Sequence, residues 1–145
     1  MLETTLLVKC IPVIQNKNST TQRQISGIIK LGFSLTSSLR NIPKFPNTNA
    51  RVALAKRLNL AYLENMQDWE YEVADIFRID DFLNTYDLND ITEDERFLLI
   101  EMLFQSFEEV DDLEKDTRWH QTLSVVENNL DLHTQTVLYW ANGVE

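Results

Sequence analysis

The chain has 145 residues, of which 43% are apolar, and its formal net charge is −10 at pH 7. A chain of this length buries about two-thirds of its unfolded surface as one domain, and its many large apolar side chains exclude a disordered tail. No stretch approaches the roughly 20 apolar residues that a membrane-spanning helix needs, so we expect no membrane association of that kind.

The lone cysteine and the first residues predict a cytoplasmic location. Cys10 has no second cysteine with which to form an intrachain disulfide, and this favours a reducing compartment. Glu3 stands where a secretory signal carries Lys or Arg, and Lys9 and Pro12 interrupt the apolar stretch around them. We therefore expect a cytoplasmic protein without a signal peptide.

The charges are divided unevenly along the chain. Residues 1–63 contain nine Lys or Arg and one acid, a balance of +8, whereas residues 64–145 contain four Lys or Arg and 22 acids, a balance of −18. Such a split is explained by a basic region for nucleic acid, by two faces for two partners, or by one half packing against the other. The sequence leaves all three explanations open.

The first fifty residues have the weakest structural pattern. Residues 6–14 are compatible with a short strand or an extended arm, and residues 21–39 can be written as a helix that two glycines weaken. The two prolines within 41–49 predict a loop there. We therefore expect one domain over residues 1–145, with a basic segment of undetermined fold at 1–49 and a helical core at 50–145.

Residues 51–60 resemble the first helix and turn of a helix-turn-helix, with Asn59 at the turn. This resemblance makes a nucleic-acid-binding regulator that uses the basic residues 1–63 the alternative function. The following helix should then present basic or amide side chains to DNA. It carries instead acids that phosphate groups repel, namely Glu64, Asp68, Glu70 and Glu72. An ordinary amphipathic helix is the favoured interpretation of residues 51–60.

Two helices are predicted between residues 68 and 109. The first runs from Asp68, as its N-cap, to about Tyr86, and its inward side chains are Trp69, Val73, Ile76, Phe77, Phe82 and Leu83. The second begins with a capping box formed by Thr92 and Glu95 and runs to about Glu109. Its broad apolar face predicts a buried central helix, with Glu101 on the opposite side.

Two further helices are predicted near the end of the chain. Asp116 caps the first, and Trp119, Leu123 and Val126 form one stripe on it. The second spans Leu132 to Ala141, is capped by Asp131 and stops at Asn142-Gly143. Together these elements predict an all-α fold, a compact bundle of about five to six helices.

The densest group of acids lies at residues 108–116. Neither this run nor residues 87–90 has the Gly at position six and the Glu at position twelve of an EF-hand loop, so calcium binding is not expected. The run is either a solvated connection between helices or a landing site for a basic protein surface. The predicted partner-binding residues are Glu108, Glu109, Asp111, Asp112, Glu114, Asp116, Asp68, Glu70, Glu72 and Asp75.

The sequence contains no convincing motif for a metal site or for catalysis. Asp116 and His120, four residues apart, offer two ligands, whereas zinc needs at least three protein ligands. Cys10 and His133 stand at no recognisable spacing from them, and we find no nucleophile motif or Gly-rich phosphate loop. We therefore expect no metal, no cofactor and no enzymatic activity.

A family resemblance covers about two-thirds of the chain, from about residue 50 to the end. The residues that carry it are Met66 to Asp75, Arg78 to Phe82, Trp119-His120, Leu132-His133 and Tyr139-Trp140. In these segments the chain resembles small bacterial immunity proteins encoded beside polymorphic toxins. The resemblance implies a compact, acidic, non-enzymatic protein that binds one cognate toxin domain tightly. Many such domains are basic nucleases, whose phosphate-binding groove an acidic surface can occupy.

Overall fold

The computed structural model describes residues 45–142, with side chains as far as Trp140. The strand or arm at 6–14, the helix at 21–39 and the stop at Gly143 lie outside the described residues. Backbone contacts divide the chain into two compact units, a first unit, Phe45–Val110, and a second unit whose described part is residues 111–142. The prediction of a single domain over 1–145 stays a prediction.

Residues 45–142 contain six α-helices and no strand, which confirms the predicted all-α class. The first unit contains α1 (Thr48–Leu58), α2 (Trp69–Glu72), α3 (Ile79–Tyr86) and α4 (Glu93–Ser106). The second unit contains α5 (Thr117–Asn128) and α6 (Leu130–Asn142). Short 3-10 turns lie at Ile76–Arg78, Phe107–Glu109 and Leu113–Lys115.

Side-chain and backbone caps define both ends of α1. The Asn47 side chain accepts a hydrogen bond from the backbone N–H of Ala50 at 2.8 Å, which satisfies one of the first-turn donors. At the other end Asn59 adopts the left-handed conformation, with φ 56° and ψ 53°, and its N–H donates to the Ala55 carbonyl. Asn tolerates this conformation better than most residues, so the predicted turn at Asn59 is confirmed.

The central helix of the first unit is α4, as predicted. The Thr92 hydroxyl accepts from the Glu95 N–H at 3.1 Å, and the Glu95 carboxylate accepts from the Thr92 N–H at 2.8 Å, so the predicted capping box is confirmed. Because α1, α2 and α3 all pack against α4, it is buried on more than one face. Glu101, predicted to lie on the outer side, is therefore buried, and the Tyr71 hydroxyl donates to its carboxylate.

The prediction of one continuous helix from Asp68 to Tyr86 was wrong. The backbone of Asp75 is extended, with φ −158° and ψ 122°, and its N–H donates to the Ser106 hydroxyl at 2.9 Å instead of to a carbonyl one helical turn earlier. Trp69, Phe82 and Leu83 are buried as predicted. Phe77, predicted to face inward, is instead exposed, and Asp68 makes no side-chain capping bond.

The second unit confirms one predicted cap and corrects another. The Asp116 carboxylate accepts from the Arg118 N–H at 2.9 Å and caps α5, and the predicted stripe Trp119, Leu123 and Val126 is buried. The last helix begins at Leu130, so Asp131 lies within its first turn and not at its cap. The Asn129 carbonyl accepts from the N–H groups of Leu132 and His133 at 3.0 and 3.2 Å, so the helical hydrogen bonds already begin before Asp131.

Within residues 45–142, no helix has both the length and the apolar character required to traverse a lipid bilayer.

Candidate protein-binding surface

The first unit exposes most of the acids that the sequence predicted between residues 68 and 75. Asp68 stands at the start of α2 and Glu72 at its end, and both side chains are exposed. Asp75 follows in the extended stretch, and its exposed carboxylate accepts from the Phe77 N–H at 2.9 Å. The structure therefore keeps three of these four predicted acids accessible to a partner.

The fourth acid, Glu70, is only 3% exposed. Its two carboxylate oxygens accept from Nε and Nη2 of Arg51 at 3.0 and 3.1 Å. The same Nη2 also donates to the carbonyl of Gln67 at 2.9 Å, so the guanidinium fixes α2 against α1. Since this carboxylate is buried and already paired, a basic side chain of a partner does not reach it.

A second predicted group of acids in the first unit follows α4. The Phe107 side chain is buried at the start of the 3-10 turn, and the Val110 N–H donates to the Phe107 carbonyl at 3.0 Å. Glu109 is exposed at the end of this turn, whereas Glu108 is half-buried. Burial of one aromatic side chain thus determines the outward direction of Glu109.

The second unit begins with three exposed acids on one short turn, Asp111, Asp112 and Glu114. Between them, Leu113 is 1% exposed. The N–H of Asp116 donates to the Leu113 carbonyl at 3.0 Å and closes the turn. We call Asp111, Asp112 and Glu114 the acidic turn. Its carboxylates point to solvent because the apolar residue among them is anchored inward.

Lys115 forms an ion pair with Asp112 of the acidic turn. Its Nζ lies 3.8 Å from the Asp112 carboxylate, and 84% of the Lys115 side chain is exposed. An exposed pair of this kind contributes about 0 to 1 kcal/mol and is screened by salt. Asp112 therefore remains accessible to a stronger cation of a partner.

The last acid of the predicted run, Asp116, is committed to its own helix. Nε and Nη2 of Arg118 donate to its two carboxylate oxygens at 3.0 and 2.8 Å. These side-chain hydrogen bonds hold the pKa of the Asp116 carboxyl below its usual value, although partial burial acts in the opposite direction. Asp116 thus serves as a structural cap, and its charge is already compensated locally.

His120 also bonds within the second unit. Its Nε2 lies 2.6 Å from the Glu114 carbonyl oxygen, while the Asp116 carboxylate bonds to Arg118. The two groups considered as metal ligands thus have separate protein partners. In the part of the chain that the structure describes, no three His, Cys, Asp or Glu side chains are grouped closely enough to hold a metal ion.

Two cations in the described part of the basic half, residues 45–63, form ion pairs with acids of residues 64–145. Besides the Arg51–Glu70 pair, Arg57 donates to the Asp90 carboxylate at 3.3 Å. At these two positions the charge split reflects packing of one half against the other within the first unit.

Residues 60–68 contain no helix, and α2 has only four residues. A recognition helix of the kind required by a helix-turn-helix therefore does not follow α1.

The main surface residue that the sequence prediction missed is Phe77. Helical periodicity predicted that Phe77 faces the apolar side of one continuous helix. The helix is instead broken at Asp75, whose N–H bonds to Ser106, 31 residues away along the chain, and a local pattern does not reveal that contact. One local signal was present. An Asp two residues before a backbone N–H can accept from it and form a turn instead of a helix, which is how Asp75 and Phe77 are arranged.

Comparison with models of protein families, with curated proteins and with solved structures found no match to this chain.

Proposed function

We propose that this chain is a non-enzymatic, protein-binding inhibitor, an immunity protein that neutralises a cognate bacterial toxin domain in the cytoplasm. It binds a basic surface of that domain through exposed carboxylates. The proposal rests on the resemblance of residues 50–145 to immunity proteins and on the accessibility of acids that their clustering in the sequence predicted to bind a partner. Of these, Asp111, Asp112 and Glu114 carry most of the argument.

The acidic turn is the single observation that supports this function best. Three carboxylates lie within four residues on a turn that the buried Leu113 holds in place. Clustered charges of one sign attract a partner of the opposite sign and raise the rate of productive encounter. Because the turn is already fixed by Leu113, binding loses little further conformational entropy there.

The first unit offers further carboxylates of the same kind at Asp68, Glu72, Asp75 and Glu109. A nuclease groove that binds phosphate does so with Lys and Arg side chains, and these bind carboxylates by the same charge-assisted hydrogen bonds. The inhibitor thus competes with the nucleic-acid substrate for the same cations. This mechanism needs no bond-making group on the inhibitor.

Co-expression in a bacterial host tests this proposal. The gene neighbourhood is first searched for a toxin-like domain, and the chain is then produced together with that domain while growth is measured. We expect the wild-type chain to restore growth and the triple variant Asp111→Lys, Asp112→Lys, Glu114→Lys to restore less. A matched control reverses three other exposed acids, Glu64→Lys, Asp87→Lys and Glu127→Lys, and should protect like the wild type. Absence of protection by the wild-type chain would contradict the proposal.

A further inference from the structure

Phe77 is the most exposed large apolar side chain among the described residues, at 89%. It lies in the 3-10 turn between α2 and α3. An exposed aromatic side chain on a fixed backbone is a typical binding anchor, because it buries a large area with few rotatable bonds to restrict. Such an anchor requires a backbone that is held in place before the partner arrives.

Hydrogen bonds of Asp75 and Ser106 fix the N-terminal end of this turn. The Asp75 carboxylate accepts from the Phe77 N–H at 2.9 Å, and the Asp75 N–H donates to the Ser106 hydroxyl at 2.9 Å. The Ser106 hydroxyl in turn donates to the carbonyl of Met102 at 2.7 Å, in the buried helix α4. The backbone of Phe77 is thus connected to the core of the first unit by three successive hydrogen bonds.

Hydrogen bonds of the Arg78 side chain fix the C-terminal end of the turn. Its Nη2 donates to the carbonyl of Leu58, at the end of α1, at 2.8 Å. Its Nε donates to the carboxylate of Asp81, in α3, at 2.6 Å. Because Asp75 and Arg78, which lie before and after Phe77 along the chain, are both bonded to helices, the aromatic ring projects from a preorganised support.

The charged residues near Phe77 along the chain indicate that its partner carries positive charge. Four exposed acids lie within five residues of it along the chain, Glu72, Asp75, Asp80 and Asp81. The only cation in this interval is Arg78, which is paired with Asp81. An apolar anchor among carboxylates fits an apolar pocket rimmed by Lys or Arg, and the same carboxylates repel a phosphate backbone.

We propose that Phe77 is the apolar anchor of a docking surface that binds a basic protein surface, with its ring in an apolar pocket of the partner. This inference rests on the proposed function and deepens it, because it adds a hydrophobic contact to the exposed acids of residues 68–75, which precede Phe77 closely along the chain. The carboxylates speed the approach of the partner and the ring slows its release.

A labelled peptide of alternating Lys and Leu serves as the probe, and fluorescence anisotropy at low salt measures its binding. We expect the wild-type chain to bind it, and Phe77→Ala to weaken binding by about tenfold, the loss typical of an interface anchor. Phe45→Ala is the matched control, since Phe45 is also exposed, at 71%, and stands beside Lys44 and a proline instead of acids. It should change binding by less than about twofold.

A second peptide, with Ala at every Leu position, tests the apolar contact, and Phe77→Ala should not weaken its binding. Equal effects of Phe77→Ala and Phe45→Ala, no effect of either, or no binding of the Leu peptide to the wild type would each overturn the inference. Since Phe77 is exposed, circular dichroism should show unchanged folding of the variant. Failure of the wild-type chain to protect a host from the toxin-like domain would reject the proposed function alone, because the peptide titration does not depend on it.

Discussion

Arg51 and Glu70 form a two-pronged ion pair that joins α1 to α2. Nε and Nη2 of Arg51 lie 3.0 and 3.1 Å from the two carboxylate oxygens of Glu70. Only 4% of the Glu70 side chain and 14% of the Arg51 side chain are exposed. The pair withdraws one charge from the basic half of the chain and one from the acidic half, so neither charge is available to an external partner.

Replacing Arg51 with Met should therefore destabilise the protein strongly. The variant leaves the buried Glu70 carboxylate without its cation, and breaking a buried pair in this way costs about 3 to 5 kcal/mol. Urea denaturation measures the free energy of unfolding. The double variant Arg51→Met, Glu70→Leu should recover most of the loss, because two apolar side chains then replace the pair.

The matched control for this experiment is Arg57→Met. Its partner Asp90 has a side chain that is 75% exposed, so water replaces the lost ion pair and the expected change is below about 1 kcal/mol. Equal effects of Arg51→Met and Arg57→Met would show that burial does not govern the strength of the first pair.

The capping box of α4 gives a second prediction. Thr92→Ala removes the hydroxyl that accepts from the Glu95 N–H and should lower the free energy of unfolding by about 1 kcal/mol. Thr48→Ala is the control, because Thr48 also begins a helix and is exposed, whereas Asn47 provides the cap of α1. Thermal denaturation of both variants decides the matter, and a larger loss for Thr48→Ala would contradict the assignment of the caps.

The features that sequence predicted well are those held by neighbours along the chain. The capping box of Thr92 and Glu95 spans three residues, and the Asp116 cap of α5 spans two. Both depend on short polar side chains beside unpaired backbone N–H groups. The all-α class likewise follows from local periodicity, which the burial of Trp119, Leu123 and Val126 confirms.

The features that sequence missed depend on distant residues. Ser106 interrupts the predicted helix at Asp75 from 31 positions away, and Arg51 pairs with Glu70 from 19 positions away. Helical periodicity carries no information about either contact. As a result the prediction turned Phe77 inward and counted Glu70 among the partner-binding acids.

The ion pair of Asp116 with Arg118 predicts a pH-dependent stability. The folded-state pKa of Asp116 lies below its unfolded value, so its carboxylate stabilises the fold fully above the unfolded pKa, and this contribution is lost as the pH falls through the folded pKa. Asp116→Asn keeps an N-cap side chain and removes the charge. The variant should be less stable than wild type near pH 7, and the difference should shrink below about pH 3.8.

Asp111→Asn is the control for this measurement, since Asp111 is exposed and its replacement should change stability by less than about 0.5 kcal/mol at pH 7. Denaturant unfolding at a series of pH values provides the comparison. A destabilisation by Asp116→Asn that persists or grows toward low pH would contradict the role given to the Arg118 hydrogen bonds.

The alternative function, a nucleic-acid-binding regulator, requires the basic residues 1–63 to bind DNA. Arg51 and Arg57 are paired with carboxylates, and α2 carries acids where a recognition helix needs basic groups. In a gel-shift experiment at low salt we therefore expect no complex between the full chain and genomic DNA fragments at micromolar protein. A complex that dissociates as salt rises would favour the alternative, because release of counterions from phosphates has that signature.

The central claim is that exposed carboxylates attract a basic protein partner, and the association rate with the cognate toxin domain that the proposed function requires tests it most directly. Screening lengths fall from about 30 Å at 0.01 M salt to about 3 Å at 1 M. We expect the association rate to fall steeply between about 20 and 500 mM salt. Reversal of the acidic turn at Asp111, Asp112 and Glu114 should slow association more than it speeds dissociation. A rate that is insensitive to salt and unchanged by this reversal would contradict the account.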